Sequence, residues 1–251
     1  KIMTTTEQAA TGKSIIYIVS EFVDKNINST GYYWEYISSV FIHHGVDVRI
    51  ISTQESCHRA KTSQPRATYI PICFSSSYEK NNIFSRIGGQ IAISFAFLHA
   101  IVSHVRRGNT LFSGTKPSIL ILFIAILQSL MRFRWILLAH DVFPENLIPA
   151  GIVKSSSVWF KIIKYIFDWA YSRAQTIVSI GRDMSILLKN KISDNSRVKY
   201  IPNFVELSQI FDPDKYSRHS EKSVNAATVT FVFFGNLGRV QGITVLLEAI
   251  D

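Results

Sequence analysis

Trp135-Ile-Leu-Leu-Ala-His-Asp-Val-Phe-Pro-Glu145 is an apolar run that stops abruptly at a histidine, two carboxylates and a proline. A short, continuous apolar run is the pattern of a strand buried on both faces of a parallel sheet. Ligands of such sheets bind just beyond the carboxyl ends of the strands. His140, Asp141 and Glu145 therefore stand where chemistry is done in this architecture.

The flanking sequence repeats the same grammar. Residues 14–20 form another apolar run, and a polar loop ending Asn28-Ser-Thr-Gly31 follows it. Apolar side chains then recur at Tyr33, Ile37, Val40, Phe41 and His44, one face of a helix that Gly45 closes. Residues 46–52 make a second strand, so the opening has the length of a βαβ unit. A polar segment at 53–66 interrupts the alternation, and a weaker strand at 67–73 carries Pro71, which places it near a sheet edge. Further on, 83–105 reads as a helix broken at Gly88-Gly89 and closing on Arg106-Arg107, with the next strand at 109–113. A helix opened by Pro117 runs to Leu130, short of the ~20 apolar residues that span a bilayer, and is buried or interfacial.

After the His140 loop, 155–174 is expected to be a helix capped by Ser155, Ser156 or Ser157. Its expected buried stripe is Val158, Ile162, Ile163, Ile166, Phe167 and Ala170. A strand at 175–179, a short helix at 183–191 and a strand at 198–201 ending at Pro202-Asn203 complete the set. The fold class is α/β: a Rossmann-like parallel sheet flanked by helices over 14–207, preceded by a disordered extension at 1–13. A polar linker at 208–228 leads to the first βα unit of a second Rossmann-like domain at 229–251.

Composition narrows the classes. At 47% hydrophobic and 18% charged the 251-residue chain buries a sizeable core. Its formal charge of +9 favours anionic partners: phosphates, acidic lipid surfaces or nucleic acid. The two cysteines, Cys57 and Cys73, have no metal-site spacing and suggest neither zinc nor a disulfide scaffold, which fits a reducing, cytosolic setting. The polar first dozen residues lack the apolar segment of a secretory signal. No zinc, EF-hand, P-loop, nucleophile-elbow or nucleic-acid motif appears.

Two glycine-containing turns lie where a helix follows a strand. Gly235-Asn-Leu-Gly-Arg-Val-Gln-Gly242 offers backbone N–H groups, a helix dipole and the Arg239 charge to a phosphate, although its spacing is not the dinucleotide fingerprint. A tight turn without a ligand explains it equally well. Ser29-Thr-Gly31 is the weaker case, and serving as an N-cap is the simpler role for it. His140 can act as a base, bond a polar ligand, or be a strand-end histidine satisfied by the backbone. The remaining histidines lack acidic company and are read as structural or solvated.

The loop after strand one, the His-Asp-x-x-Pro-Glu loop at 140–145, Ile-Pro-Asn at 201–203, the linker and Gly235 to Gly242 together resemble the family-4 glycosyltransferases of GT-B fold. The nearest type is the bacterial WbuB-like enzymes of O-antigen and capsule assembly. The resemblance covers residues 14–251 and about the first half of the family's length. It implies that His140 contacts the donor sugar at the reaction centre, and that Ser29, Thr30 and Gly31 approach the donor phosphates or the acceptor. Gly235, Asn236, Gly238 and Arg239 would shape the diphosphate side, while Asp141, Glu145 and Asn203 bind the acceptor or shape loops. It also implies a retaining transfer without cofactor or metal, from a UDP- or GDP-linked sugar to a lipid-linked glycan. The setting would be an anionic membrane surface at the cytoplasmic face, with no nucleic acid.

Thr30, Phe204 and Gln241 depart from the family's usual glycine, glycine and lysine. The second-domain carboxylate motif and further diphosphate ligands fall past Asp251, so the chain is expected to carry the acceptor-side domain without a complete donor site. The rival expectations are a Rossmann-type oxidoreductase or epimerase, disfavoured by the absent G-x-G-x-x-G, and a non-enzymatic docking module.

Overall fold

A computed structural model of the protein describes residues 15–74, 83–205, 232–233 and 242–250. The extension at 1–13, the linker at 208–228 and all but two residues of the apolar run at 229–234 lie outside the described residues. So do Gly235, Asn236, Gly238 and Arg239 of the glycine turn.

Among the described residues seven strands form one sheet: β1 (Ile15–Val19), β2 (Asp47–Thr53), β3 (Thr68–Ile72), β4 (Thr110–Gly114), β5 (Arg134–Ala139), β6 (Thr176–Ser179) and β7 (Val198–Tyr200). Every pairing is parallel and the order is β3-β2-β1-β4-β5-β6-β7. The helices are α1 (Ser29–His43), α2 (Gln54–Ser63), α3 (Ile83–His104), α4 (Ser118–Met131), α5 (Val158–Arg173), α6 (Arg182–Lys189) and α7 (Ile243–Ile250). This is the Rossmann-like sheet that the apolar runs predict, with Pro71 on the edge strand β3.

Alternation along the strands divides the core in two. Tyr17 and Val19 of β1, Leu111 of β4 and Trp135, Leu137 and Ala139 of β5 point to the side covered by α3, α4 and α5. Ile16, Ile18, Phe112 and Leu138 point to the other, where Trp34 of α1 and Ala60 of α2 close over them. Central strands buried on both faces cannot slip register without turning large side chains out of place.

Four expectations are corrected. The polar segment at 53–66 does not interrupt the alternation: β2 runs to Thr53, whose hydroxyl accepts from the Ser56 N–H, and α2 follows. Its buried side is Ser56, Cys57 and Ala60, too small to register as an apolar stripe, and burial pushes the Cys57 thiol up to about 11. Gly88-Gly89 does not break α3, which runs through both. A mid-helix glycine costs only about 1 kcal/mol, and the apolar face of α3 offsets that.

The inner stripe of α1 is also shifted. Trp34, Glu35 and Ser38 are buried, Ile37 and Phe41 pack beside them, and Val40 is exposed. In α5 the error is larger. The helix starts at Val158 behind Ser157, with no side-chain cap bond, and buries Phe160, Phe167, Ala170 and Tyr171. Val158, Ile162 and Ile166 face outward instead.

Gly31 is required by packing. A Cβ built there would lie 2.1 Å from the carbonyl oxygen of Asp24, and backbone cannot yield as a side chain can. We expect Gly31→Ala to lower stability by about 1–3 kcal/mol through overpacking, measured as a shift of the urea midpoint at unchanged slope.

Candidate functional site

The strand order reverses between β1 and β4, the switch point where an open parallel sheet leaves a crevice between diverging loops. A cavity of about 400 Å³ occupies it. Its walls are Ser20, Glu21 and Phe22 after β1, the start of α1, Gly114, Thr115 and Lys116 around the end of β4, and His140 and Asp141 after β5. Asn203, beyond β7, reaches the same space.

Local chemistry fixes each wall. Asn28 caps α1 by accepting from the Gly31 N–H at 2.9 Å, so Ser29 and Thr30 line the cleft in the first turn while Gly31 is turned into packing. The first turn of a helix carries N–H groups without intrahelical partners and the positive end of the dipole. Across the cleft, the Asp141 N–H donates to Thr115 Oγ1 at 3.3 Å, tying the β5 loop to the β4 loop. Lys116 pairs with Asp141 at 3.4 Å near the mouth, where exposure keeps the pair weak. Burial pushes the Glu21 carboxyl up, with Lys116 opposing.

Two buried polar atoms in this cleft have no partner among the described residues. Of the four buried atoms lacking a hydrogen bond, Glu145 Oε2 has Lys191 at 2.8 Å and Arg197 Nε has Asp194 at 3.6 Å. The other two are Trp34 Nε1 and His140 Nε2, and both residues line the cavity. An unmet buried polar atom costs about 1–3 kcal/mol, and both of these belong to residues of the cavity wall. The Tyr33 ring lies 6.3 Å from that of His140, centroid to centroid.

Burial lowers the pKa of His140 from 6.5, Asp141 opposes this, and Lys116 reinforces it. The imidazole is therefore neutral at neutral pH, with one donor and one acceptor nitrogen. Because the unfolded chain binds this proton more tightly, the stability His140 contributes is complete above about pH 6.5 and falls as pH drops toward the lowered value. We expect its imidazole NMR signal to titrate with a midpoint below 6.5, and His140→Gln to flatten that part of the acid-stability profile.

Glu145 stands apart from this group. It lies in a 3₁₀ turn, Glu145–Leu147, and pairs behind the loop with Lys164 at 3.2 Å and Lys191 at 2.8 Å. Asp168 joins both lysines, at 2.5 Å and 2.6 Å, and the Lys191 side chain is 1% exposed. Burial works against the Lys164 charge, but Asp168 and Glu145 outweigh it and raise its pKa. Tyr171 Oη accepts from the Phe143 N–H at 3.2 Å, so α5 holds the His140 loop at two points.

Of the sequence candidates, the structure brings Ser29, Thr30, His140, Asp141 and Asn203 to one cleft and leaves Gly31 and Glu145 behind its walls. Glu21, Trp34, Thr115 and Lys116 were missed. Glu21, Thr115 and Lys116 follow strand ends as His140 does, and that shared position was the available signal. A second, apolar recess of about 290 Å³ adjoins the cleft and shares Tyr33 and Asn203 with it. Among the described residues no group of three His, Cys, Asp or Glu is placed to hold a metal.

No protein-family model matches the chain. Its sequence is 36% identical over 240 residues to the probable glycosyltransferase WbjE of Pseudomonas aeruginosa, an alignment covering 94% of this chain and 59% of that protein. The two are homologous. The chain thus spans about three-fifths of the length of the curated relative it matches.

Solved structures agree on the fold. Anabaena Alr3699/HepE in complex with UDP superposes over 82% of this chain and 48% of its own, at TM-score 0.51 and 9% identity. The N-terminal domain of Candida albicans trehalose-6-phosphate phosphatase superposes over 88% and 54%, at TM-score 0.52 and 11% identity. At such identities the likeness speaks for the architecture alone.

Proposed function

We propose that the protein is a retaining glycosyltransferase that moves a sugar from a UDP- or GDP-linked donor to a lipid-linked glycan. Its place would be the assembly of bacterial surface polysaccharide, at the cytoplasmic face of the membrane, with no metal or cofactor. Homology to a probable glycosyltransferase supports the reaction class. The observation that carries the site is the convergence of Glu21, Lys116, His140 and the first turn of α1 on one switch-point cleft.

In the reaction the bond from the sugar C1 to the diphosphate oxygen breaks. A bond from C1 to the acceptor hydroxyl oxygen forms on the same face, and the hydroxyl proton leaves with the nucleoside diphosphate. The neutral His140 donates or accepts a hydrogen bond at the sugar, and Glu21 and Asn203 orient acceptor hydroxyls. Lys116 and the first turn of α1 supply positive potential to phosphate, the electrostatic support a departing diphosphate needs. Gly235, Asn236, Gly238 and Arg239 belong to the donor side in this scheme.

The test is a screen of UDP- and GDP-sugars with the full-length protein and a lipid-pyrophosphate sugar acceptor, the product's anomeric proton being read by NMR. Consumption of one donor with its anomeric configuration kept is the expected result. A folded protein that consumes none, or inverts the anomer, refutes the proposal.

A further inference from the structure

The layer formed by α3, α4 and α5 is apolar on both sides. Inward, Ile93, Phe97, Ile101, Ile121, Ile124 and Phe167 fill the core. Outward, each helix carries a second apolar stripe. On α5, Val158, Trp159, Ile162, Tyr165, Ile166 and Trp169 are all exposed and fall within an arc of about 120° at 3.6 residues per turn. Phe95 and Val102 extend the face on α3, and Ile126 and Leu130 on α4. The stripes are continuous, because α4 packs against both neighbours and the Phe95 and Phe123 rings meet at 5.0 Å. Trp159 at 72%, Tyr165 at 79% and Leu130 at 74% exposure are not the scattered apolar residues of an ordinary surface.

Charge identifies the occupant. Between Glu79 and Asp141 the sequence contains no carboxylate and seven cations: Lys80, Arg86, Arg106, Arg107, Lys116, Arg132 and Arg134. Arg106, Arg107 and Arg132 are exposed just past the ends of α3 and α4, and Lys154 and Lys161 are exposed around the start of α5. An apolar face with Trp and Tyr, rimmed by basic residues, matches a bilayer interface with anionic headgroups. A two-fold contact with a second copy would set the same cations against each other.

The face cannot be a membrane span. The window Ile87–His104 of α3 is long and apolar enough to cross a membrane, yet that helix commits Ile93, Phe97, Ala100 and Ile101 to the core and packs on β2 and β3. It can only lie flat.

We infer that the outer face of α3, α4 and α5 inserts its apolar side chains beneath the headgroups of an anionic bilayer, with the three helix axes in the membrane plane. The inference rests on the membrane-surface part of the proposed function and specifies which face docks and how deeply. Helices that join parallel strands run antiparallel to them, so α3, α4 and α5 all begin at the cleft end of the sheet. The cleft then opens beside the membrane, one packed layer above it, on the order of 10 Å. A lipid-linked pyrophosphate could reach that height without leaving the bilayer.

Within residues 1–251, Trp34 and Trp135 are buried, so the share of lipid quenching that is lost when Trp159 and Trp169 are replaced reports on this face. The test mixes the full-length protein with phosphatidylglycerol–phosphatidylethanolamine vesicles carrying brominated acyl chains, at low and at high salt. Co-flotation with at least a twofold loss of tryptophan emission, persisting in high salt, is expected. The variant Trp159→Ser/Tyr165→Ser/Trp169→Ser should lose vesicle binding at least tenfold with an unchanged circular dichroism spectrum. Arg132→Gln/Arg134→Gln should bind neutral and anionic vesicles nearly alike.

Flotation without quenching, full release by salt, or an unaffected triple variant overturns the inference. So does a wild-type dimer in sedimentation that the triple variant dissociates, which would assign the face to a second copy. Donor consumption with a water-soluble acceptor is measured in parallel. If it is absent while quenching persists, the transferase proposal fails and the docking face stands; if it persists without quenching, the reverse holds.

Discussion

Replacing His140 by alanine lowers kcat for sugar transfer by the full-length protein roughly 10²–10³-fold and leaves KM for the donor within about threefold. The expectation follows from His140, a buried imidazole that lines the cleft and whose Nε2 has no hydrogen-bond partner among the described residues. A neutral imidazole at the reaction centre contributes most where charge and bond order change. Its removal therefore acts on the transition state more than on ground-state binding. His140→Gln, which keeps a donor of similar reach, should recover part of the loss. Equal falls in kcat for alanine and glutamine variants of normal stability would assign the imidazole an acid–base role instead. Steady-state kinetics with thermal denaturation on the same samples separates these outcomes.

The second large effect is on stability. Lys191→Met removes a cation whose side chain is 1% exposed and which faces Glu145 at 2.8 Å and Asp168 at 2.6 Å. Two carboxylates then share Lys164 alone. Breaking a buried pair on one side costs roughly 3–5 kcal/mol, and the partial exposure of Glu145 and Asp168 favours the lower end. For a chain of this size that is a fall in Tm of roughly 6–12 °C. The combination Lys191→Met/Glu145→Gln/Asp168→Asn should recover most of it, because no uncompensated charge remains. A single variant as stable as wild type would mean that water reaches the network and screens it. The His140 loop hangs from the same network, so Lys191→Met should also slow transfer by about tenfold through misplacement.

The fold was legible because 15–19 and 135–139 are uninterrupted apolar runs and each ends on polar residues. Helix α2 was not legible: its buried side is Ser56, Cys57 and Ala60, which leaves no hydropathy period to find. The phase of α5 was misjudged for a different reason. That helix is apolar on two sides, one packed and one exposed, and periodicity alone cannot tell which side meets the sheet.

At the site, His140 and Asp141 were legible from their position after β5. Glu145 drew attention by its nearness in sequence, yet the 3₁₀ turn carries it behind the wall. Glu21, Trp34 and Lys116 enter the cleft only because β1 and β4 are neighbours. That adjacency comes from the sheet order, and no local pattern announces it.

The most direct measurement is the imidazole NMR spectrum of histidine-labelled full-length protein during titration with the acceptor glycan and then the donor. If the cleft at the switch point is the reaction centre, the His140 Nε2 resonance moves on binding and its midpoint, below 6.5 in the free protein, shifts again. Turnover of donor with the His140 signal unmoved would place the chemistry elsewhere and contradict the account.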